Sequence, residues 1–294
     1  MRIDELPRSE NIDDRRGVRM RRGGIGIGML LVVGLIGWAL GIDPRLLIGG
    51  AEVLTGGQQS QPPSASDTAR TGNAPSDQMK EFVSAVLGST EVQWTEVFAQ
   101  GNTRYQPPRL VMFSEATSSA CGFAQAAMGP FYCPNDRQVY LDTSFFEDLQ
   151  RRFGACETEK ACQFSQAYVI AHEIGHHVQN LLGILPRLQQ MQQGMDRGDA
   201  NRLQVMAELQ ADCFAGIWAN RSQQRWKFLD PGDVETALQT ASAIGDDRLQ
   251  RRSQGYVVPD AFTHGKAEQR VRWFRTGFTT GDPRSCNTFA AKDV

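Results

Sequence analysis

Ala171-His172-Glu173-Ile174-Gly175-His176-His177 is the stretch on which the rest of this 294-residue chain depends. On an α-helix, His172 and His176 stand one turn apart on the same face, so both imidazoles can bind one metal ion. Glu173 lies beside them, placed to deprotonate a water on that metal. Zinc-assisted hydrolysis of a peptide bond uses these side chains at this spacing. The plain alternative is a surface helix with coincidental histidines. The chain holds only four, His172, His176, His177 and His264, so an accidental match is expected in about one per cent or less of such chains.

Apolar spacing extends the helix from about Ser165 to Leu182, with Ala167, Ile170, Ile174, Val178 and Leu181 as one stripe. Cys156 and Cys162 flank a short polar loop just before it, where a local disulfide would brace its start. Leu185-Pro186 marks its outer limit or a new short helix.

A catalytic zinc normally takes three protein ligands and leaves one position for water. His177 sits about 100° around the helix from His176 and reads as structural. That leaves His264 or a carboxylate. A second helix, about Asn201 to Asn220, puts Glu208 and Asp212 one turn apart, with Ala207, Ala211, Ala215 and Gly216 small enough for another helix to approach closely. A solvated acidic face is the ordinary reading of such a pair. The shortage of histidines shifts it: Glu208 suits the third ligand across an antiparallel helix pair, with Asp212 behind it to accept from a ligand imidazole N–H.

The N-terminal segment 1–22 is charged and polar, ends in Arg15, Arg16, Arg19, Arg21 and Arg22, and shows no sign of a folded element. Residues 23–42 carry no charge, and twenty such residues suffice to cross a bilayer as a helix. A cleaved signal peptide is the alternative, although its apolar region is usually shorter, about 7–15 residues. Arginines crowd the N-terminal flank while Arg45 is nearly alone beyond it, so the positive-inside rule predicts a cytoplasmic N-terminus and an exported domain. Residues 43–77 form a linker, rich in Gly, Ser, Pro and Gln from Gly56 onward. The folded domain is expected over 78–294.

Within it, Met79, Phe82, Val83, Val86 and Leu87 recur at helical spacing, and residues 92–113 read as strand-like. Gly129 to Asp142 reads as a hairpin turning at Pro134-Asn135-Asp136. Its second half, 137–142, is either a substrate-pairing edge strand or an ordinary strand of the sheet. Asp230-Pro231 opens another helix whose Val234, Ala237, Leu238, Ala241 and Ile244 face the core.

HEIGHH at 172–177, ELQADCFAG at 208–216, and Phe262-Thr263-His264-Gly265 followed by Glu268-Gln269-Arg270 resemble the neutral zinc metallopeptidase family of bacterial membrane-anchored proteins. That family is related in pattern to the gluzincins, with HExxH and a downstream ExxxD. The resemblance also takes in Gly-Pro-Phe-Tyr-Cys-Pro at 129–134 and the arginine-flanked apolar stretch, so it covers nearly the whole chain apart from the linker. It implies one Zn²⁺ held by His172, His176 and Glu208, with Glu173 as general base and Asp212 supporting a ligand. The substrate it implies is a protein or peptide. The implied fold is α+β and zincin-like: a small antiparallel or mixed sheet packed on the metal-binding helix and further helices, preceded by one transmembrane helix. The implied location is a bacterial cytoplasmic (inner) membrane, single-pass, with the catalytic domain periplasmic or extracytoplasmic. His264 is either a donor to the reacting oxyanion, a role gluzincins often give to a downstream His or Tyr, or a structural residue ahead of a helix over 266–277. Arg270 and Tyr140 are further candidates for that role.

A net charge of −2 and scattered arginines give no footprint for nucleic acid. Six cysteines without CxxC spacing favour disulfides over a zinc knuckle, given an oxidising compartment. The expected pairs are Cys121–Cys133, Cys156–Cys162 and Cys213–Cys286, among 15 possible connectivities. Against the peptidase stands a second reading, an envelope scaffold or chaperone that keeps zinc for folding. A fourth protein ligand or a metal buried without a cleft would favour it.

Overall fold

The computed structural model describes residues 1–16, 77–114, 116–125, 129–151 and 159–291. The apolar stretch 23–42 and nearly all of the linker therefore lie outside the described residues. No described helix is long and apolar enough to cross a membrane. The fold is mixed α+β, mostly helical, with a four-stranded sheet ordered β1-β2-β6-β5. Strands β1 (Ile12–Asp14), β2 (Arg109–Phe113) and β6 (Gln138–Asp142) run parallel, and β5 (Phe131–Cys133) is antiparallel to β6. A separate hairpin joins β3 (Ala116–Ser119) to β4 (Gly122–Gln125). Cys121–Cys133 ties that hairpin to β5.

The helices are α1 (Gln78–Gln100), α2 (Ser144–Arg151), α3 (Glu159–Leu181), α4 (Ile184–Gln192), α5 (Arg197–Trp226), α6 (Asp233–Ala243), α7 (Asp246–Gln254) and α8 (Ala267–Thr280). Helix α1 starts where the Asp77 side chain accepts from the Lys80 N–H. It continues through the residues that read as strand-like, because Val83, Val86, Leu87, Thr90, Trp94 and Phe98 hold one buried face at a period of three and four. The range 92–113 read as strand-like; the 3.6-residue period prevails as far as Gln100, and the strand is confined to 109–113. Helix α6 begins at Asp233, later than Asp230-Pro231 suggests, with Gly232 in the left-handed region as its cap. Helices α5 and α8 extend beyond the segments expected for them, and α3 begins earlier than Ser165.

The hairpin at 129–142 forms as read, turning through Pro134 to Arg137. Its second strand is not the substrate edge, however. Strand β6 is bonded to β2 on one side and β5 on the other, so its backbone groups are already paired. Among the described residues, the edge strand on this side of the sheet is β5.

Residues 1–16 are folded, contrary to their polar appearance. Met1 and Leu6 enter the main core, and β1 extends the sheet through the registers Ile12↔Leu110 and Asp14↔Met112. The segment crosses α1 at Gly88, where an added Cβ would lie 2.4 Å from the Pro7 carbonyl oxygen. Only glycine lets the two backbones pass this closely.

Candidate metal centre

Helices α3 and α5 meet at Gly175. A Cβ there would stand 3.0 Å from both Cα and O of Ala211. That contact sets His172 and His176 of α3 opposite Glu208 and Asp212 of α5. His172 Nε2 lies 3.2 Å from Glu208 Oε2, and His176 Nε2 lies 3.5 Å from Glu208 Oε1. The three residues offer ligand atoms that all fall within 4.8 Å of one another, and no fourth His, Cys, Asp or Glu joins them among the described residues. Zinc bonds of 2.0–2.1 Å at tetrahedral angles put neighbouring ligand atoms about 3.3–3.4 Å apart. The two contacts to Glu208 bracket that spacing, so the donors fit one zinc ion with a position left open.

Each imidazole is held from behind. His172 Nδ1 donates to Asp212 Oδ1 at 2.8 Å, and His176 Nδ1 donates to Gln179 Oε1 at 2.9 Å. Both rings then turn Nε2 toward Glu208, where it can lose a proton to become a metal ligand. Gln179 donates in turn to the Ala207 carbonyl (2.7 Å) and to Gln210 Oε1 (3.1 Å), and Gln210 donates to the Cys286 carbonyl at 2.9 Å. Asp212 is wholly buried and also accepts from Tyr168 Oη and, through both oxygens, from Arg270, with Nε–Oδ2 at 2.9 Å and Nη2–Oδ1 at 3.0 Å. Neither Gln179 nor Tyr168 was among the candidates from sequence. Gln179 was detectable in principle, since it lies one turn after His176 on the same face.

The electrostatics follow from this packing. Burial opposes ionisation of Asp212, yet Arg270 and His172 outweigh it and hold its pKa at about 2. Burial likewise opposes charge on His172, and the Asp212 and Glu208 carboxylates overcome it, lifting its pKa to about 10. Glu208 is drawn well below the usual carboxylate range by the two histidines, despite burial. Glu208 is thus ionised between two imidazoles that favour protonation, and a bound cation would take the place of those protons. Glu173 differs: burial pushes its carboxyl up, toward the range a proton shuttle needs.

These groups open onto a cleft of about 780 Å³. Its walls include Phe131 and Tyr132 of β5, Leu185 and Leu188 of α4, and His264. The His264 side chain is about half exposed, with Nδ1 held by Asp246 Oδ1 at 3.3 Å and Thr263 Oγ1 at 3.0 Å. Nε2 is the ring nitrogen left for a ligand in the cleft. Tyr140 does not line it; its hydroxyl donates to Asp136 at 2.8 Å, which removes it from the oxyanion candidates. Arg270 reaches the cleft wall, with its guanidinium committed to Asp212 and Tyr168. Cys213 is bonded to Cys286 and is no metal ligand. Cys162 is also in a disulfide, while Cys156 lies outside the described residues.

His177 is structural, as its angular position suggested. Its Nε2–H donates to the Gln106 carbonyl at 2.6 Å, and Nδ1 accepts from Tyr132 Oη at 3.1 Å. Asn180 donates to the same hydroxyl at 2.8 Å, so α3 clasps edge strand β5. Burial lowers the His177 pKa to about 4, against about 6.5 unfolded. The unfolded chain therefore binds the extra proton first. Stability from this group is complete above pH 6.5 and is lost as pH falls toward 4, by on the order of 3 kcal/mol. Urea unfolding across that window should show a flatter pH slope for His177→Gln than for the parent; equal slopes would refute the assignment.

A sequence model of the family described as "Putative neutral zinc metallopeptidase" matches residues 1–289. "Uncharacterized protein YpfJ" of Escherichia coli (strain K12) is 45% identical over 300 aligned positions, covering 98% of this chain and 99% of that protein. "Uncharacterized protein Rv2575" of Mycobacterium tuberculosis (strain ATCC 25618 / H37Rv) is 44% identical over 199 positions, 65% of each chain. No solved structure matches.

Proposed function

The chain belongs to the neutral zinc metallopeptidase family, and on that premise we propose that it hydrolyses peptide bonds of protein or peptide substrates at the α3–α5 site, in a zincin-like domain. One observation carries the reading. Two imidazole nitrogens and one carboxylate converge at zinc-ligand spacing on the floor of an open cleft, each imidazole fixed from behind, with Glu173 alongside. A zinc ion bound there supplies Lewis acidity toward a carbonyl oxygen and makes a water acidic enough to ionise near neutral pH.

The chain's own residues supply the rest. His172, His176 and Glu208 hold the ion, and Asp212 and Gln179 fix the imidazole protons on Nδ1. Glu173 takes a proton at its carboxylate and passes it to the leaving amine. His264 donates from Nε2 to the oxygen on which negative charge develops. The outer edge of β5 pairs with an extended peptide, a job that β6 cannot do. An open cleft with three ligands supports this reading over a closed zinc scaffold. A location outside the reducing cytosol is part of the proposal, supported by the disulfides Cys121–Cys133 and Cys213–Cys286.

Removal of zinc by a chelator should abolish cleavage of an unfolded protein substrate, and stoichiometric Zn²⁺ should restore it. Cleavage that persists in the metal-free protein would sink the proposal.

A further inference from the structure

The first sixteen residues are built into the same domain as the metal site. Strand β1 is bonded to β2 by Leu110 N–H to the Asn11 carbonyl and Arg15 N–H to the Met112 carbonyl, each 2.8 Å. Ser9 exchanges hydrogen bonds with Ser84 of α1, and Glu91 of α1 accepts from both Ser9 and Asn11. At the end of the segment Arg16 pairs with Asp14 and also with Asp77, the residue that caps α1. Those contacts hold both aspartates below the ordinary carboxylate range. Arg16 and Asp77, the described residues on either side of the stretch 17–76, are therefore in contact.

A segment that crosses a bilayer once leaves its ends on opposite sides. Strand pairing cannot be made through a bilayer. Two crossings need two apolar runs of roughly 20 residues, and 43–76 holds no second such run. The positive-inside argument also weakens, because Arg15 and Arg16 are engaged with Asp13, Asp14 and Asp77 inside the fold.

We infer that residues 1–16 and the metal site occupy the same aqueous compartment. This replaces the single-pass arrangement with a cytoplasmic N-terminus, and it is independent of the peptidase reading.

The test is paired cysteine labelling in the full-length protein. Glu5→Cys and Arg275→Cys lie at exposed positions in the N-terminal segment and on α8, and no free cysteine occurs among the described residues. Spheroplasts of an expressing bacterium are treated with a membrane-impermeant maleimide before and after detergent lysis, with the parent chain as baseline. Both sites should label before lysis. Labelling of both only after lysis also supports one shared compartment, now the cytoplasm. Labelling of one site before lysis and the other only after would overturn the inference.

Discussion

Glu173→Gln retains its zinc and loses hydrolysis by about 10²- to 10⁴-fold, the usual contribution of a positioned proton-transfer group. Glutamine keeps the volume and the hydrogen-bonding reach of the side chain, so the packing of α3 is preserved. What goes is the ability to accept a proton. Glu173 is not among the three converging ligands, which is why metal content should stay at the parent level. Burial raises its carboxyl pKa against the opposing pull of His172 and His176, which favours proton exchange. The check is zinc stoichiometry together with steady-state cleavage of a peptide. Parent-level turnover in the variant would remove Glu173 from the reaction; loss of zinc would mean that it acts as a ligand.

Arg270→Met should destabilise the fold by roughly 3–5 kcal/mol, the range for leaving one member of a buried ion pair uncompensated. Arg270 is 3% exposed and Asp212 is fully buried. The guanidinium makes two parallel bonds to the carboxylate and a third, at 3.2 Å, to Tyr168 Oη. Without it, Asp212 must either stay ionised against one imidazole alone or take up a proton. Taking up a proton costs it one of the acceptor sites shared by His172 and Tyr168. Metal affinity should therefore fall along with stability. Arg270→Lys keeps the charge but not the planar fork, and should recover only part of the loss. Urea unfolding of the zinc-free proteins measures the effect without metal linkage. A change below about 1 kcal/mol would show that the pair contributes little, as exposed pairs do.

Much of the site was legible in the chain because helical spacing is a local property. His172 and His176 at i and i+4, and Glu208 and Asp212 at i and i+4, each define a helix face before any fold is known. The shortage of histidines then points to Glu208, and the structure brings it to both imidazoles. Of the two residues that escaped notice, Gln179 lay within reach of the same helical spacing, while Tyr168 acts through tertiary contact. Tyr168 matters because α3, α5 and α8 converge on Asp212, and nothing near Tyr168 in sequence announces that. Whether 137–142 was an edge or an interior strand stayed open because a strand pattern does not reveal its neighbours, and the pairing of β6 with β2 that decides it joins residues about 30 apart. The N-terminal segment misled for a related reason. Its charges look solvent-bound in composition, yet Arg15 and Arg16 find aspartates next to them, and Met1, Leu6 and Ile12 reach the core.

The line of amides behind His176 has a direction. The Cys286 carbonyl can only accept, so Gln210 must present its NH₂ there and its oxygen toward Gln179. Gln179 must then turn its NH₂ to Gln210 and the Ala207 carbonyl, which leaves its oxygen for the imidazole. The proton on His176 is thereby assigned to Nδ1 by a peptide group more than a hundred positions away in the chain. Seen this way, the C-terminal turn after α8 is an orienting terminus for the metal ligand. The disulfide from Cys286 to Cys213 fastens that terminus to α5, the helix that carries Glu208.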